Sequence, residues 1–293
     1  MDKLVIICGA TATGKSELAV KFAQKLNGEI ISADSMQIYK HMDIGTAKVT
    51  TDEMQGIPHH MIDIVEPNAS FSVAEYQEYA TKIIDDVKKR NKTPVIVGGT
   101  GLYINSLIYD YSFGSTSANH GLREELKAFA ESNGKQALHD LLREKSPEQA
   151  EKLHPNDVKR VIRAIELSSE LQKDEQKIVR PYIAFALNTD REVLYDKINK
   201  RVDVMFDLGL ENEVKNLVKN FNLDFDCQSM KAIGYKEFKD YFENKIDLLE
   251  LKELIKKNSR NYAKRQFTWF RKMPELQWFN DKNDALRAIE ELI

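Results

Sequence analysis

The sequence predicts a mixed α/β protein, a parallel sheet flanked by helices and interrupted by an α-helical insertion. Three observations carry that prediction. Short β-branched runs alternate with helical patterns through residues 1–112, the signature of βαβ units. The strand-like runs then stop, and residues 113–181 are polar and helix-forming. Tyr182–Leu187 is again β-like, which returns the chain to the sheet and opens a second core segment, 182–293.

In chain order, Leu4–Cys8, residues 29–32 and residues 95–97 read as the first three strands. Ser72 followed by Glu75 forms a capping box that opens a helix running toward Arg90. In the insertion, Leu122, Leu126 and Phe129 share one helical face, and Val158, Val161, Ile162 and Ile165 share another. After the strand at Tyr182–Leu187, Thr189 is expected to cap a helix bearing Leu194, Ile198 and Val202. A long helical pattern over 247–272 is stopped by Pro274, and Leu276–Phe279 reads as a last short strand. There is no internal repeat, low-complexity tract or flexible linker.

Composition narrows the function classes. With 43 Lys and Arg against 46 Asp and Glu, the formal net charge of −3 excludes a uniformly basic nucleic-acid coat. Any anionic partner must be held by a local patch. The 42% hydrophobic and 30% charged content fits a soluble globular chain. The early apolar run Leu4–Cys8 is too short for a membrane span or a signal-peptide core, so a cytoplasmic protein without membrane contact is expected. Cys8 and Cys227 are too few and too far apart for a disulfide framework or a four-ligand zinc site, and read as small apolar residues of the core.

Gly9, Ala10, Thr11, Ala12, Thr13, Gly14, Lys15 and Ser16 match G-x-x-x-x-G-K-[ST] at every fixed position, after an apolar strand and before a helical stretch. The glycines let the backbone wrap an anion, successive N–H groups point inward, and the helix dipole adds positive potential. Lys15 supplies a mobile positive charge, and the Ser16 hydroxyl is placed to bind a Mg²⁺ ion that bridges phosphate oxygens. The core is therefore P-loop NTPase-like and its ligand carries a di- or triphosphate.

The motif names a charged group, not a reaction. A motor or switch NTPase would set a strand ending in Asp beside this loop, but residues 95–97 run into Gly98, Gly99, Thr100 and Gly101. The carboxylate comes from the second strand, where Asp34 follows Ala33 at the carboxyl end, the crevice side of such sheets. That placement suits a general base for a nucleophile delivered to the phosphate site. A turn cap shared with Ser35 is the competing reading. On these residues alone a small-molecule or nucleotide kinase remains open, with an RNA-binding NTPase module behind it.

The ordered motifs GATATGKS (9–16), SADSMQIYKHMDIGTAK (32–48), IPHHMID (57–63), PVIVGGTGLY (94–103), HPNDVKRVIRAIE (154–166), AIGYKE (232–237) and AKRQFTWFR (263–271) together resemble the bacterial tRNA dimethylallyltransferases over nearly the whole chain. The resemblance implies transfer of a dimethylallyl group from dimethylallyl diphosphate to N6 of the adenosine 3′-adjacent to the anticodon, with diphosphate released. The P-loop would then hold the prenyl donor with Mg²⁺, Asp34 would be the base for the exocyclic amine, and Thr100 would lie near the reacting base. It further implies contacts to the anticodon stem-loop from Asp34, Ser35, Met36, Gln37 and Thr100, from Arg123, Lys159, Arg160 and Arg163 of the insertion, and from Lys264 and Arg265. The expected form is a cytoplasmic monomer.

The charge distribution accommodates that reading. Residues 256–274 hold Lys256, Lys257, Arg260, Lys264, Arg265, Arg271 and Lys272 with no acidic residue until Glu275, and Tyr262, Phe267, Trp269 and Phe270 are interleaved. Aromatic faces can stack unpaired bases, whereas helical spacing turns Phe267 and Phe270 toward the core. The basic residues read either as an RNA surface or as a solvated helix face. Lys159 and Arg163, four apart and opposite the apolar stripe, are expected to project outward together. His59 and His60 lack a third ligand at metal spacing and read as structural. Three stretches depart from the family pattern: Ala10 stands where Pro is common, 168–172 replaces a Thr-Gly-Lys turn, and 113–120 lacks expected Pro and Asp residues.

Overall fold

The computed structural model describes residues 3–110, 120–168 and 177–291. In chain order it contains β1 (Leu4–Cys8), α1 (Lys15–Lys25), β2 (Gly28–Ser32), α2 (Thr51–Met54), β3 (His59–His60), α3 (Val73–Lys89), β4 (Thr93–Gly98) and α4 (Gly101–Ile108). Then follow α5 (His120–Lys145), α6 (Pro147–Lys152), α7 (Val158–Leu167), β5 (Tyr182–Leu187), α8 (Arg191–Asp207) and α9 (Leu210–Phe221). The chain closes with α10 (Phe238–Phe242), α11 (Leu248–Phe270), β6 (Leu276–Phe279) and α12 (Lys282–Glu290). Among the described residues, 3–110 and 178–291 form one compact unit and 120–168 lie in a second.

The six strands make one parallel sheet in the order β3-β2-β4-β1-β5-β6. Alternate residues of β1 feed opposite cores, as the two-residue period of a strand requires. Leu4, Ile6 and Cys8 pack with Tyr76, Ala80 and Ile84 of α3 and with Ile104 and Leu107 of α4. Val5 and Ile7 pack with Leu18 and Phe22 of α1 and Ile289 of α12. Helices thus cover both faces, which is why the strand is apolar throughout. Because β2, β4 and β1 are neighbours, their carboxyl ends bring Asp34, the Gly98–Gly99–Thr100 turn and the phosphate loop to one edge of the sheet. Among the described residues no helix is long and apolar enough to cross a membrane.

The expected capping box stands at Ser72 and Glu75, and a second opens α11 at Asp247 and Glu250. Elsewhere the structure corrects the sequence reading. Asp190, not Thr189, caps α8: its Oδ1 accepts from the N–H of Glu192 (2.9 Å) and Val193 (3.2 Å). Phe129 is exposed although Leu126 on the same face is buried, and α5 breaks at Gly134, whose φ of +89° suits glycine. The chain rejoins the core at Ile178 rather than after Pro181, because Ile178 bridges Tyr109 and the Val179 N–H donates to the Ile108 carbonyl (2.8 Å). The departures at 113–119 and 169–172 lie outside the described residues.

The short edge strand β3 was not legible, since two residues show no period. It is tied to the sheet by Glu29, whose carboxylate is 2% exposed. His60 Nε2 (2.7 Å), Lys92 Nζ (2.9 Å) and the Arg90 guanidinium surround it. Hydrogen bonds from Arg90, then Lys92 and His60, outweigh burial and hold this carboxyl far below the usual carboxylate range. We predict that Glu29→Gln lowers the unfolding free energy at pH 7 by about 1 to 2 kcal/mol, because charge-assisted hydrogen bonds to the buried side chain are lost while the partly exposed Arg90, Lys92 and His60 keep water. A depressed folded-state pKa stabilises above the unfolded value, so the wild-type advantage should shrink as pH falls below about 4. Denaturant melts of both chains at pH 7 and pH 3 measure this; an unchanged difference would contradict the charge network.

Candidate active site

The phosphate loop leaves β1 and turns into α1 through three left-handed positions, Gly9 (φ +138°), Ala12 (φ +62°) and Gly14 (φ +87°). Thr13 Oγ1 donates to the Ala10 carbonyl (2.9 Å) and holds the turn. Ala10, at the position where the family often has Pro, is fully buried against Leu194, Ile198 and Ala263. Ser16 is exposed at the start of the helix. Lys15 Nζ donates to the Ala10 carbonyl (3.3 Å). Withdrawal from water lowers the Lys15 pKa to about 8; Asp34 opposes that fall and Arg201 adds to it.

Two residues of the second core segment complete the loop, and neither belongs to the glycine-rich motif. Arg201 of α8 donates from Nη1 to Thr11 Oγ1 (2.9 Å). Burial lowers its pKa and Asp34 is the strongest charge opposing that. Gln266 of α11 is 5% exposed; its Oε1 accepts from the Thr11 N–H (2.9 Å) and its Nε2 donates to the Gly99 carbonyl (3.0 Å). One amide thus spans the loops that follow β1 and β4. It also explains the glycine at 99, where a Cβ would sit 2.1 Å from Gln266 Nε2. At 98 a Cβ would meet the Ala33 carbonyl at 2.1 Å. Sequence reading missed both residues, since nothing in their local sequence reports contact with a loop 190 or more positions away.

Asp34 caps a turn, as the competing reading has it, and keeps one carboxylate oxygen unengaged. Its Oδ1 accepts from the N–H of Met36 (2.9 Å) and Gln37 (3.3 Å), a turn cap, while Oδ2 accepts no hydrogen bond among the described residues. The cap fixes the carboxylate and leaves one oxygen for chemistry. Thr100 Oγ1 accepts from the Ser35 N–H (3.0 Å) and donates to Ser35 Oγ (3.3 Å), so these two residues stand against each other. The Tyr262 hydroxyl borders Thr100 and Gln266; burial and then Asp34 push its pKa up to about 12.

Two cavities meet here. One, of about 300 Å³, is lined by Met36, Gly45, Met205, Lys231, Tyr262 and Arg265 among others. The second, of about 290 Å³, is lined by Ser16, Gln37, Ala47, His59 and Val97 among others. Thr11, Lys15, Asp34, Thr46 and Arg201 border both.

The basic residues divide. On α11, Lys264 and Arg265 are exposed, Arg265 lying over the Tyr262 ring (5.6 Å). Lys256 is paired with Asp203 (2.9 Å) and Glu253 (3.1 Å), which removes it from the free positive run, and Arg260 donates to Asn199 Oδ1 but keeps its charge. Phe270 is buried and Phe267 stacks on Trp278, so these two rings serve the core. Within the helical unit, the buried Glu166 carboxylate draws Arg163 Nη1 (2.6 Å) and Arg123 Nη2 (2.8 Å) onto its Oε2. Lys159 is exposed, but Arg163 leans onto Glu166 instead of projecting beside it. Arg160 lies 3.4 Å from Asp157. Two guanidinium groups on one carboxylate still leave net positive charge.

The sequence model for IPP transferase matches residues 37–273. The chain belongs to the IPP transferase family. The match starts beyond the phosphate loop, so it is independent of that motif. A tRNA dimethylallyltransferase of Bacillus mycoides (strain KBAB4) is 50% identical over 99% of this chain and 93% of its own. The solved tRNA isopentenylpyrophosphate transferase of Bacillus halodurans is 45% identical with a TM-score of 0.76, covering 100% of this chain and 95% of that one. A eukaryotic dimethylallyltransferase solved acting on tRNA is 31% identical with a TM-score of 0.83, over 99% of this chain and 78% of its own. The P-loop core is thus shared by the IPP transferases resembling this chain.

Since the Lys15 pKa falls to about 8, the cradle loses charge as pH rises through that value. Relative to Lys15→Met, which cancels the ligand's own ionisation, wild type should therefore bind inorganic diphosphate with a constant advantage below pH 7 that shrinks by up to about tenfold per pH unit above pH 8. Calorimetry from pH 6.5 to 9.5, with Lys15→Met as reference, reads this directly. An advantage that stays constant to pH 9.5 would assign the titration elsewhere.

Proposed function

We propose that the chain transfers the dimethylallyl group of dimethylallyl diphosphate to N6 of the adenosine 3′-adjacent to the anticodon of tRNA and releases diphosphate. The observation that carries this reading is the shared border of the two cavities, where a phosphate cradle and a carboxylate face one space. The N6 lone pair attacks the allylic carbon, the carbon–oxygen bond breaks, diphosphate leaves whole, and the N6 proton passes to Asp34 Oδ2. An exocyclic amine is a weak nucleophile, so a positioned base is useful there. The loop N–H groups, Lys15 and Arg201 stabilise charge growing on the leaving group. A kinase would need the acceptor at the terminal phosphorus, and no observation here favours it.

Mg²⁺ fits the donor set. Among the described residues no three His, Cys, Asp or Glu side chains form a metal site, but Mg²⁺ is commonly held by one or two side chains with substrate phosphates. The exposed Ser16 hydroxyl would hold it, and the ion would supply charge neutralisation on the diphosphate.

The target base must leave its stack to reach Asp34, at a cost of a few kcal/mol. Ser35, Met36, Gln37 and Thr100 are assigned to the base and its neighbours. Lys264 and Arg265 on the core, with Arg123, Lys159, Arg160 and Arg163 on the helical unit, are assigned to the anticodon stem-loop. We read the enzyme as a monomer, acting in the cytoplasm where its substrates occur.

With unmodified tRNA and Mg²⁺, radiolabel should enter RNA from the prenyl donor, while ATP transfers nothing; phosphate transfer without prenylation would overturn the reading. Asp34→Asn should cut turnover by about 100-fold or more and leave the tRNA Kd unchanged, whereas equal loss of both would make Asp34 structural. Lys264→Ala and Lys159→Ala should each reduce the log–log salt slope of tRNA binding by about 0.7 to 0.9. An unchanged slope would return those lysines to a solvated face.

A further inference from the structure

Glu213, on the first turn of α9, makes an arrangement that the reaction above does not use. Its Oε2 accepts from the N–H groups of Asp43 (2.9 Å) and Ile44 (2.7 Å). Its Oε1 accepts from the Gly45 N–H (3.1 Å) and the Tyr235 hydroxyl (2.6 Å). Three consecutive N–H groups turned to one side form a concavity that ordinarily takes a free anion; here a carboxylate some 170 residues away in sequence fills it. Gly45 lies flat on the buried Tyr235 ring, where a Cβ would meet ring carbon at 2.4 Å. At the other end of the loop, Lys48 Nζ donates to the Tyr39 carbonyl (2.9 Å) and pairs with Asp43 and Asp63.

Between these two anchors stand Thr46 and Ala47, the latter at φ +46°, an unfavoured conformation for a residue with a Cβ. Their carbonyls accept both hydrogen bonds of the Gln37 side-chain amide, at 3.3 Å and 3.2 Å. Gln37 sits in the turn capped by Asp34, and its Oε1 accepts no hydrogen bond among the described residues. The amide donors of Gln37 are thus committed to the loop.

We propose that Glu213 is a positioning residue for RNA recognition. Through the loop at 43–47 it fixes the polarity of the Gln37 amide, so that Gln37 offers RNA an acceptor only. An acceptor takes an amino or ring N–H edge and repels a carbonyl edge, and that is the specificity the latch imposes. Without the latch, the carbonyls of Thr46 and Ala47 are free to shift and the Gln37 amide free to turn. The inference rests on the prenyl transfer proposed above, with Gln37 on the RNA side.

A double-mutant cycle of Glu213→Gln and Gln37→Ala tests it. Glu213→Gln replaces one accepting oxygen with an NH₂ group that opposes the backbone N–H groups. We expect kcat/KM for tRNA to fall about tenfold in Glu213→Gln, and by less than about twofold when the same change is made in Gln37→Ala. KM for the prenyl diphosphate should stay near wild type. Equal losses in both backgrounds, or a matching rise in KM for the donor, would overturn the proposal and leave Glu213 with a merely structural role. If Glu213→Gln fails to fold, Tyr235→Phe, which removes one donor from the same carboxylate, enters the cycle with the same two outcomes. A wild-type chain that does not prenylate tRNA would sink the function reading, whereas an active wild type with an additive cycle sinks the latch alone.

Discussion

Two cations drawn away from bulk water, Lys15 and Arg201, stand at the carboxyl edge of the sheet, and Asp34 is the strongest opposing charge that each one feels. That imbalance organises the site. A lone carboxylate cannot satisfy two such cations, so the cradle is built for an anion supplied by a ligand. The same positive field that favours a bound diphosphate reaches the Asp34 carboxylate. The phosphate loop and Asp34 are therefore coupled through charge before any substrate is bound.

Rigid connections hold this balance in place. Parallel pairing of β2, β4 and β1 sets the three functional turns side by side, and the Gln266 amide ties two of them together. Glycines at 98 and 99 are demanded by the approach of Ala33 and Gln266. Arg201 reaches Thr11 from α8, so the loop is completed by a segment far along the chain. The site depends on the second core segment as much as on the first, although the first carries the recognisable motif.

Much of this was legible in the sequence for physical reasons. The strands β1, β4 and β5 are apolar runs bounded by turn residues, and the capping box at Ser72 marks its helix by chemistry alone. The phosphate loop is legible because backbone wrapping demands fixed glycines. What escaped depends on contacts between distant residues. The edge strand β3 is too short to show a period and exists through pairing with β2. Arg201, Gln266 and Glu213 act across 160 residues or more, and nothing in their local sequence reports that. Charge counting overstated the basic run on α11, because Lys256 is consumed by Asp203 and Glu253.

The net charge of −3 is thus compatible with a polyanionic substrate, since the exposed cations Lys159, Lys264 and Arg265 are local and many others are paired. The central claim is that carbon, not phosphorus, is the electrophile, and that the cradle keeps an intact diphosphate. Prenyl donor carrying ¹⁸O in the oxygen that bridges carbon and phosphorus tests it most directly. Mass spectrometry after a single turnover with tRNA should find all of the label in released diphosphate and none in RNA. Label retained on the RNA, or diphosphate split into single phosphates during transfer, would contradict the account.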